Sequence, residues 1–346
     1  MSAAPTAHSA AHSNDPRLAA LRTWLTSQLD QGLRSLEPAS ADASFRRYFR
    51  ATLADGSTRI VMDAPPDQED CTPWLRIQAL FGGAGVHVPT VYAQDLQQGF
   101  LLLSDLGNTT FLQAITADNA AQLYSEAADA LIRIQASSLP GVLPTYDGER
   151  LMNELRLFPD WYIGQHRKAT LSEAQQKQLQ TMFEQIVAVN LAEPQVYVHR
   201  DYHSRNLMLT PNNNPGIIDF QDAVYGPVSY DLVSLFKDAY IDWDEAQVLD
   251  WLIRYWEKAR KAGVPVRSDF SEFYRDYEWM GVQRHLKVLG IFARLYHRDG
   301  KEGYLKDMPR VALYLHRACE RYRELRPLAA LLQDLEGREV SAGYTF

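Results

Sequence analysis

Three side chains in one stretch could do chemistry together: Asp201, Asn206 and Asp219, within Val196–Asp231, VYVHRDYHSRNLMLTPNNNPGIIDFQDAVYGPVSYD. A carboxylate such as Asp201 can orient or deprotonate a hydroxyl. The amide of Asn206 and the carboxylate of Asp219 offer hard oxygen donors that suit magnesium, which takes a few protein ligands and shares the rest with phosphates and water. A base beside such a pair is equipment for phosphoryl transfer. The elements that must position it are legible on either side. Val196-Tyr197-Val198, Leu207-Met208-Leu209 and Gly216–Phe220 read as short strands, with an Asn-rich turn at Pro211–Pro215. Strand, loop, strand, turn and strand place the three groups where the strands end, so that they can converge on one cleft.

His199-Arg200-Asp201, then Asn206, then an apolar strand ending in Asp219-Phe220, resembles the catalytic and metal loops of protein kinases. Gln221 stands where that pattern has glycine. The trailing Gly226-Pro227-Val228-Ser229-Tyr230-Asp231-Leu232 resembles the aminoglycoside-phosphotransferase and choline-kinase-like branch of the fold. More narrowly, the chain resembles the bacterial anomeric kinases of N-acetylmuramate and N-acetylglucosamine that serve cell-wall recycling. The segments DASFRRYFR (Asp42–Arg50), VMDAPP (Val61–Pro66), LFPDW (Leu157–Trp161) and QRHLKVLGIFARL (Gln283–Leu295) carry that likeness.

The resemblance implies an α+β, two-lobed, protein-kinase-like fold. A tail of residues 1–16 precedes a small antiparallel nucleotide-binding lobe, 17–106, and a larger, mainly helical lobe, 107–346, holds the catalytic segments and the acceptor. ATP is expected between the lobes with Mg2+. Asp201 acts on the acceptor hydroxyl, and Asn206 and Asp219 bind the metal. A turn at Asp42-Ala43-Ser44 covers the phosphates, with Ser44, Arg46 and Arg47 as candidate contacts. Main-chain atoms of Ser104 and Leu106 are candidates for adenine. The acceptor is an amino sugar phosphorylated at its anomeric hydroxyl. Glu154, Trp161, Tyr202, His203, Arg205 and Asp222 are its candidate contacts. Arg275, Arg284, His285 and Lys287 could receive the lactyl carboxylate of N-acetylmuramate, although a solvated helix face is the simpler explanation for any one of them. Asp231 opens a helix, where it can cap the helix and hydrogen-bond the catalytic loop.

One departure stands out. A kinase's third strand carries a lysine for the phosphates, whereas here it reads Arg59-Ile60-Val61-Met62-Asp63. Arg46 or Arg47 is expected to take its place. The missing lysine also supports a rival reading, a nucleotide-binding pseudokinase. Retention of Asp201 argues against that, because a chain that only binds needs no base. An aminoglycoside or choline-type kinase is the rival within the family. A cationic acceptor of that kind needs a carboxylate-lined pocket.

Composition narrows the field further. A chain of 346 residues with 46% hydrophobic residues can bury a sizeable core. The net charge of −8 argues against a nucleic-acid partner. No apolar run is long enough to span a membrane, the N-terminus lacks the order of a secretory signal, and no obligate protein partner is evident. Cys71 and Cys319 form no metal or disulfide pattern, which points to the cytoplasm. His8 and His12 lie in the N-terminal tail.

Apolar spacing predicts helices over Leu18–Leu33, Asp70–Phe81, Ala120–Ser137, Gly148–His166 and Leu171–Asn190, then a helical remainder from Asp231. Strands are expected at Phe45–Leu53, Thr58–Asp63, Val86–Tyr92 and Phe100–Leu103. The first of these returns from a hairpin that starts at Ser40.

Overall fold

The computed structural model describes residues 15–40 and 45–337. The described chain divides into two compact units. One holds the residues up to Ala79 together with Val88–Gly107, and the other holds Leu80–His87 and the residues from Asn108 onward.

The first unit opens with helix α1, Pro16–Gln28. Asp15 caps it by accepting from the Arg17 and Leu18 N–H groups, and Pro16 starts the first turn, where its missing N–H costs nothing. Of the expected N-terminal tail, residues 1–14 lie outside the described residues, and Pro16 is already helical. The sheet comprises β1 (Leu33–Ser40), β2 (Arg47–Leu53), β3 (Thr58–Asp63), β4 (Val91–Asp95) and β5 (Phe100–Ser104), in the order β1-β2-β3-β5-β4, antiparallel throughout. Helix α2 spans Cys71–Gly83, and its residues from Leu80 onward belong to the second unit. Leu18, Leu21, Trp24 and Leu25 of α1 pack with Leu36, Phe49, Val61, Phe100 and Leu102 of the sheet.

Two expectations need correction here. Leu33 does not end a helix; it begins β1. The stretch LRSLEPAS has helical spacing and a proline, but β1 is an edge strand, where Pro38 breaks no interior ladder, and its register shifts between Pro38 and Ser40. The strand expected at Val86–Tyr92 contributes only its last two residues to β4, while His87 bridges to Gly216.

The second unit is mainly helical: α3 (Phe111–Ala114), α4 (Ala120–Ala136), α5 (Gly148–Leu157), α6 (Glu173–Leu191), α7 (Tyr230–Phe236), α8 (Glu245–Lys261), α9 (Phe270–Asp299), α10 (Met308–Arg321) and α11 (Arg326–Glu336). The expected helix Gly148–His166 changes character at Leu157, and Phe158–His166 winds as a π-helix. Gly290 of α9 sits against this junction. A Cβ there would lie 2.4 Å from the Leu157 carbonyl carbon, so only glycine admits the close approach. The stretch from Gln195 to Pro227 forms two separate antiparallel pairs. β6 (Gln195–Val198) pairs with β9 (Val224–Pro227), and β7 (Leu207–Met208) pairs with β8 (Gly216–Ile217). β9 has no counterpart among the expected strands, because four residues that end in Gly226-Pro227 show no alternating apolar pattern. Among the described residues no helix is long and apolar enough to cross a membrane.

Candidate active site

The loop between β6 and β7 is held from beneath. Asp231, fully buried at the start of α7, accepts the His199 N–H at 2.6 Å and the Arg200 N–H at 3.0 Å. Its contribution is to the loop and not to a helix cap, because Ser229 occupies the cap position. Burial drives the Asp231 carboxyl up to about 7, although both backbone N–H groups pull it down. His199 joins two segments. Its Nε2 lies 3.1 Å from the Ile218 carbonyl, while its Nδ1 accepts the Asp201 N–H at 3.2 Å. That pairing places the imidazole proton on Nε2. Burial lowers the His199 pKa to about 4, so the ring stays neutral. Phe81 stacks on the same imidazole with centroids 6.2 Å apart and meets Phe220 edge-on.

This bracing sustains a contorted backbone. Arg200 has φ 78° and Asp219 φ 63°, a region that side-chain-bearing residues occupy at a cost of about 1 kcal/mol or more. The contortion turns Asp219 towards Asn206. The Asn206 Nδ2 donates to the Asp201 carbonyl at 3.0 Å and lies 3.3 Å from the Asp219 Oδ2. Gln221, at the position where the kinase pattern has glycine, donates to the other Asp219 oxygen at 2.9 Å. Amides therefore orient both oxygens of an exposed carboxylate. The donor set suits magnesium: one carboxylate and one amide oxygen, both hard, with space for phosphate and water in the remaining positions.

Asp201 sits in a positive field. Burial pushes its carboxyl up, but the charge of Lys287 and then those of His203 and Arg284 outweigh it, holding the group at about 2. Lys287 and Arg284 both project from α9 and share the Tyr230 hydroxyl, at 2.9 and 3.1 Å. Arg284 also donates to the Arg200 carbonyl at 3.0 Å. Glu154 of α5 is the anionic centre of this group. It pairs with Arg200 at 2.8 Å and Lys287 at 3.0 Å, and accepts from Gln283 at 3.1 Å and from the Tyr146 hydroxyl. These cations hold its carboxyl down at about 2 against the opposing effect of burial.

The structure thus brings Asp201, Asn206 and Asp219 together and distributes the other candidates unevenly. Tyr202 is a correction. Fully buried, it donates its hydroxyl to the Ala127 carbonyl at 2.9 Å, so it is core and not a substrate contact. Glu154 is surrounded by four protein donors, which makes it a brace for Arg200. Trp161 is half-buried in the π-helix, and Asp222 is exposed. His203 is half-buried against the Tyr240 ring at 5.4 Å, and Arg205 is exposed over that same ring. Of the four basic residues considered for a carboxylate, three are closed to one, and Arg275 alone is partly exposed. Lys287 and Arg284 are committed as described, Arg275 lies over Trp279 and pairs with Glu324, and His285 is buried with its Nε2 against the Lys237 carbonyl.

In the first unit, Ser44 and its turn fall outside the described residues. Arg47 is engaged with Asp15 and with Asp63, at 2.5 Å to the latter, and Arg17 takes the other Asp63 oxygen at 2.6 Å. Its guanidinium therefore holds the end of β3 in place, which corrects the expectation that it is at hand for phosphate. Arg46 is half-buried. Ser104 donates its N–H to the Thr90 carbonyl at 2.9 Å, so that group is already used within the unit. Leu106 is buried, and the neighbouring Asp105 accepts from Arg50 at 2.6 Å and from the Gly107 N–H at 2.9 Å.

Sequence reasoning missed Asp238, Tyr240 and Tyr304, which stand around the catalytic loop from other elements. Only the Tyr-Ile-Asp-Trp run after α7, an aromatic-rich loop beside a buried carboxylate, could have hinted at them.

Residues 35–264 match the phosphotransferase enzyme family. The chain is 50% identical over 331 residues to a Neisseria meningitidis serogroup B protein named N-acetylmuramate/N-acetylglucosamine kinase, covering 94% of this chain and 98% of that one. A Pseudomonas aeruginosa protein of the same name is 49% identical over 339 residues, covering 95% and 100%. Among solved structures, an ADP-bound aminoglycoside phosphotransferase superposes with a TM-score of 0.57 at 16% identity, covering 85% of this chain and 96% of that one. Those figures establish a shared fold.

Proposed function

This chain belongs to the phosphotransferase enzyme family, and we propose that it is an ATP-dependent kinase of N-acetylmuramate and N-acetylglucosamine. The product is the sugar α-1-phosphate, which feeds UDP-N-acetylmuramate synthesis in peptidoglycan recycling. The observation that carries this reading is the near-full-length identity of about half to proteins so named, in a chain that keeps Asp201, Asn206 and Asp219 around one loop. Cys71 and Cys319 are both free and buried, in keeping with a cytoplasmic enzyme.

Asp201 receives the anomeric hydroxyl in a hydrogen bond and aligns its oxygen for in-line attack on the γ-phosphorus. A carboxylate held near 2 is ionised as the acceptor binds and takes the proton only late, as suits a loose transition state in which the nucleophile gains acidity only as the new bond forms. Asn206 and Asp219 would hold magnesium, whose charge neutralises the phosphate oxygens. Gln221 and Asn206 keep the Asp219 carboxylate aimed, so little reorganisation is needed at reaction. Lys287 and Arg284 are cations that act on Asp201, and they disfavour a cationic acceptor such as choline or an aminoglycoside.

The test is turnover of ATP with magnesium on N-acetylmuramate, N-acetylglucosamine, choline, kanamycin and no acceptor. We expect turnover on the two N-acetyl sugars, with phosphorus NMR placing the phosphate on C1. Asp201→Asn should lower kcat by about a thousandfold while leaving ATP binding intact. ATP binding with no turnover on any acceptor would establish the pseudokinase instead.

A further inference from the structure

Arg205 differs from the other cations near the catalytic loop. Arg200, Arg284 and Lys287 are committed to Glu154, Tyr230 and backbone carbonyls. Arg205 is exposed, and among the described residues no carboxylate pairs with it. Aromatic rings hold it instead. Its guanidinium lies 4.4 Å from the Tyr240 ring centroid and 5.8 Å from that of Tyr304. Phe292, buried beneath, contacts both rings, at 6.1 Å from Tyr240 and 5.0 Å from Tyr304.

The arrangement is anchored to the catalytic loop. Asp238, 2% exposed, accepts the Ser204 N–H on one oxygen and the Tyr240 N–H on the other, each at 2.9 Å. One buried carboxylate thereby sets the register of the turn bearing Arg205 against the segment bearing Tyr240. Arg310 holds the intervening Ala239 carbonyl at 2.7 Å. A guanidinium stacked in this way is preorganised, so little side-chain entropy is lost when its remaining N–H groups meet a ligand. Its planar fork matches a carboxylate, and the flanking aromatic surface suits the apolar face of a sugar ring.

We propose that Arg205, held by Tyr240 and Tyr304, is the specificity residue that reads the carboxylate of the acceptor. The inference rests on the sugar-kinase reading above. N-Acetylmuramate differs from N-acetylglucosamine by a lactyl ether that ends in a carboxylate, and Arg205 is the exposed, carboxylate-free guanidinium on the loop that presents Asp201 and Asn206.

The experiment measures kcat/KM for both sugars with ATP and magnesium in the wild type, Arg205→Gln and Arg205→Lys. It adds the neutral carboxamide of N-acetylmuramate as a third acceptor for the wild type. The ratio of kcat/KM for N-acetylmuramate to that for N-acetylglucosamine should fall by about 30-fold in Arg205→Gln, the usual worth of a charge-assisted hydrogen bond. Lysine, a point charge without the fork, should recover part of that ratio. The carboxamide should lose a similar factor in the wild type, and this arm holds even if a variant fails to fold. A ratio unchanged within about twofold in Arg205→Gln, or a carboxamide as good as the acid, would overturn the proposal. So would a rise in the KM for ATP shared by both sugars, which would assign the guanidinium to the nucleotide phosphates. If the wild type phosphorylates neither sugar, the sugar-kinase reading itself fails, an outcome distinct from an unchanged ratio.

Discussion

Glu154 and Glu193 are two buried carboxylates of the larger unit, and their surroundings drive them in opposite directions. Glu154 has Arg200, Lys287, Gln283 and Tyr146 around it, and its carboxyl is held at about 2. Glu193, 3% exposed, receives the Ser229 N–H at 3.1 Å on one oxygen, while the other has no hydrogen-bond partner among the described residues. Burial pushes its carboxyl up to about 8, and neighbouring Asp276 adds to the effect. Burial opposes the charge in both places. What differs is whether cations arrive from other elements to offset it. Glu154 collects two of them, one from the catalytic loop and one from α9, and so works as an ionised brace. Glu193 is neutral over most of the range in which Glu154 is charged.

The contrast can be broken most forcefully at Glu154. Glu154→Ala leaves Arg200 and Lys287 buried without their counter-charge. It should cost about 3–5 kcal/mol in urea unfolding and reduce kcat, because Arg200 adjoins Asp201. A variant as stable and active as the wild type would show that the cations do not depend on it. The pH dependence has a definite sign. A folded pKa near 2 lies below the unfolded value, so this carboxylate's stabilisation is full above about 4.5 and is lost as pH falls towards 2. The stability difference between wild type and Glu154→Gln should therefore shrink on acidification.

At Glu193 the sign is reversed and the effect smaller. The folded pKa lies above the unfolded one, so the contribution is most favourable below about 4.5 and is lost as pH rises through 8. Glu193→Gln should lie close to the wild type near pH 5 and exceed it by about 3–4 kcal/mol near pH 9, as read by thermal melts across pH. Equal melting temperatures at both pH values would mean that the site admits water. Tyr202→Phe gives the neutral baseline. It removes one buried hydrogen bond, to the Ala127 carbonyl, and should cost about 1 kcal/mol with no change in the KM of either substrate. A raised sugar KM would instead return Tyr202 to the acceptor site.

Much of the fold was legible because its signals are local. The helices α4 and α6 and the strands β3 and β5 follow from apolar period and flanking breakers, and their expected and observed ends agree within a few residues. β1 was misread because an edge strand tolerates helical spacing and a proline, and β9 went without an expectation because a short strand containing Gly226-Pro227 has no alternating apolar pattern. Gly226 is there for packing, since a Cβ would lie 2.7 Å from Tyr146. At the site, Asp201, Asn206 and Asp219 could be named from order and spacing. Residues such as Asp238 and Tyr304 carry no motif, and they became visible only when distant elements met.

By itself, then, the sequence determined the class of chemistry and the groups that would perform it, because a catalytic loop and a metal-bearing strand are short-range patterns. The tertiary structure decided which charges are available. Arg47, Arg200 and Arg284 are spent on Asp63, Glu154 and backbone carbonyls, whereas Arg205 rests on tyrosines and faces outward. An arginine reads the same wherever it stands in a chain. Its role depends on the nearest carboxylate and the local dielectric, and folding supplies both.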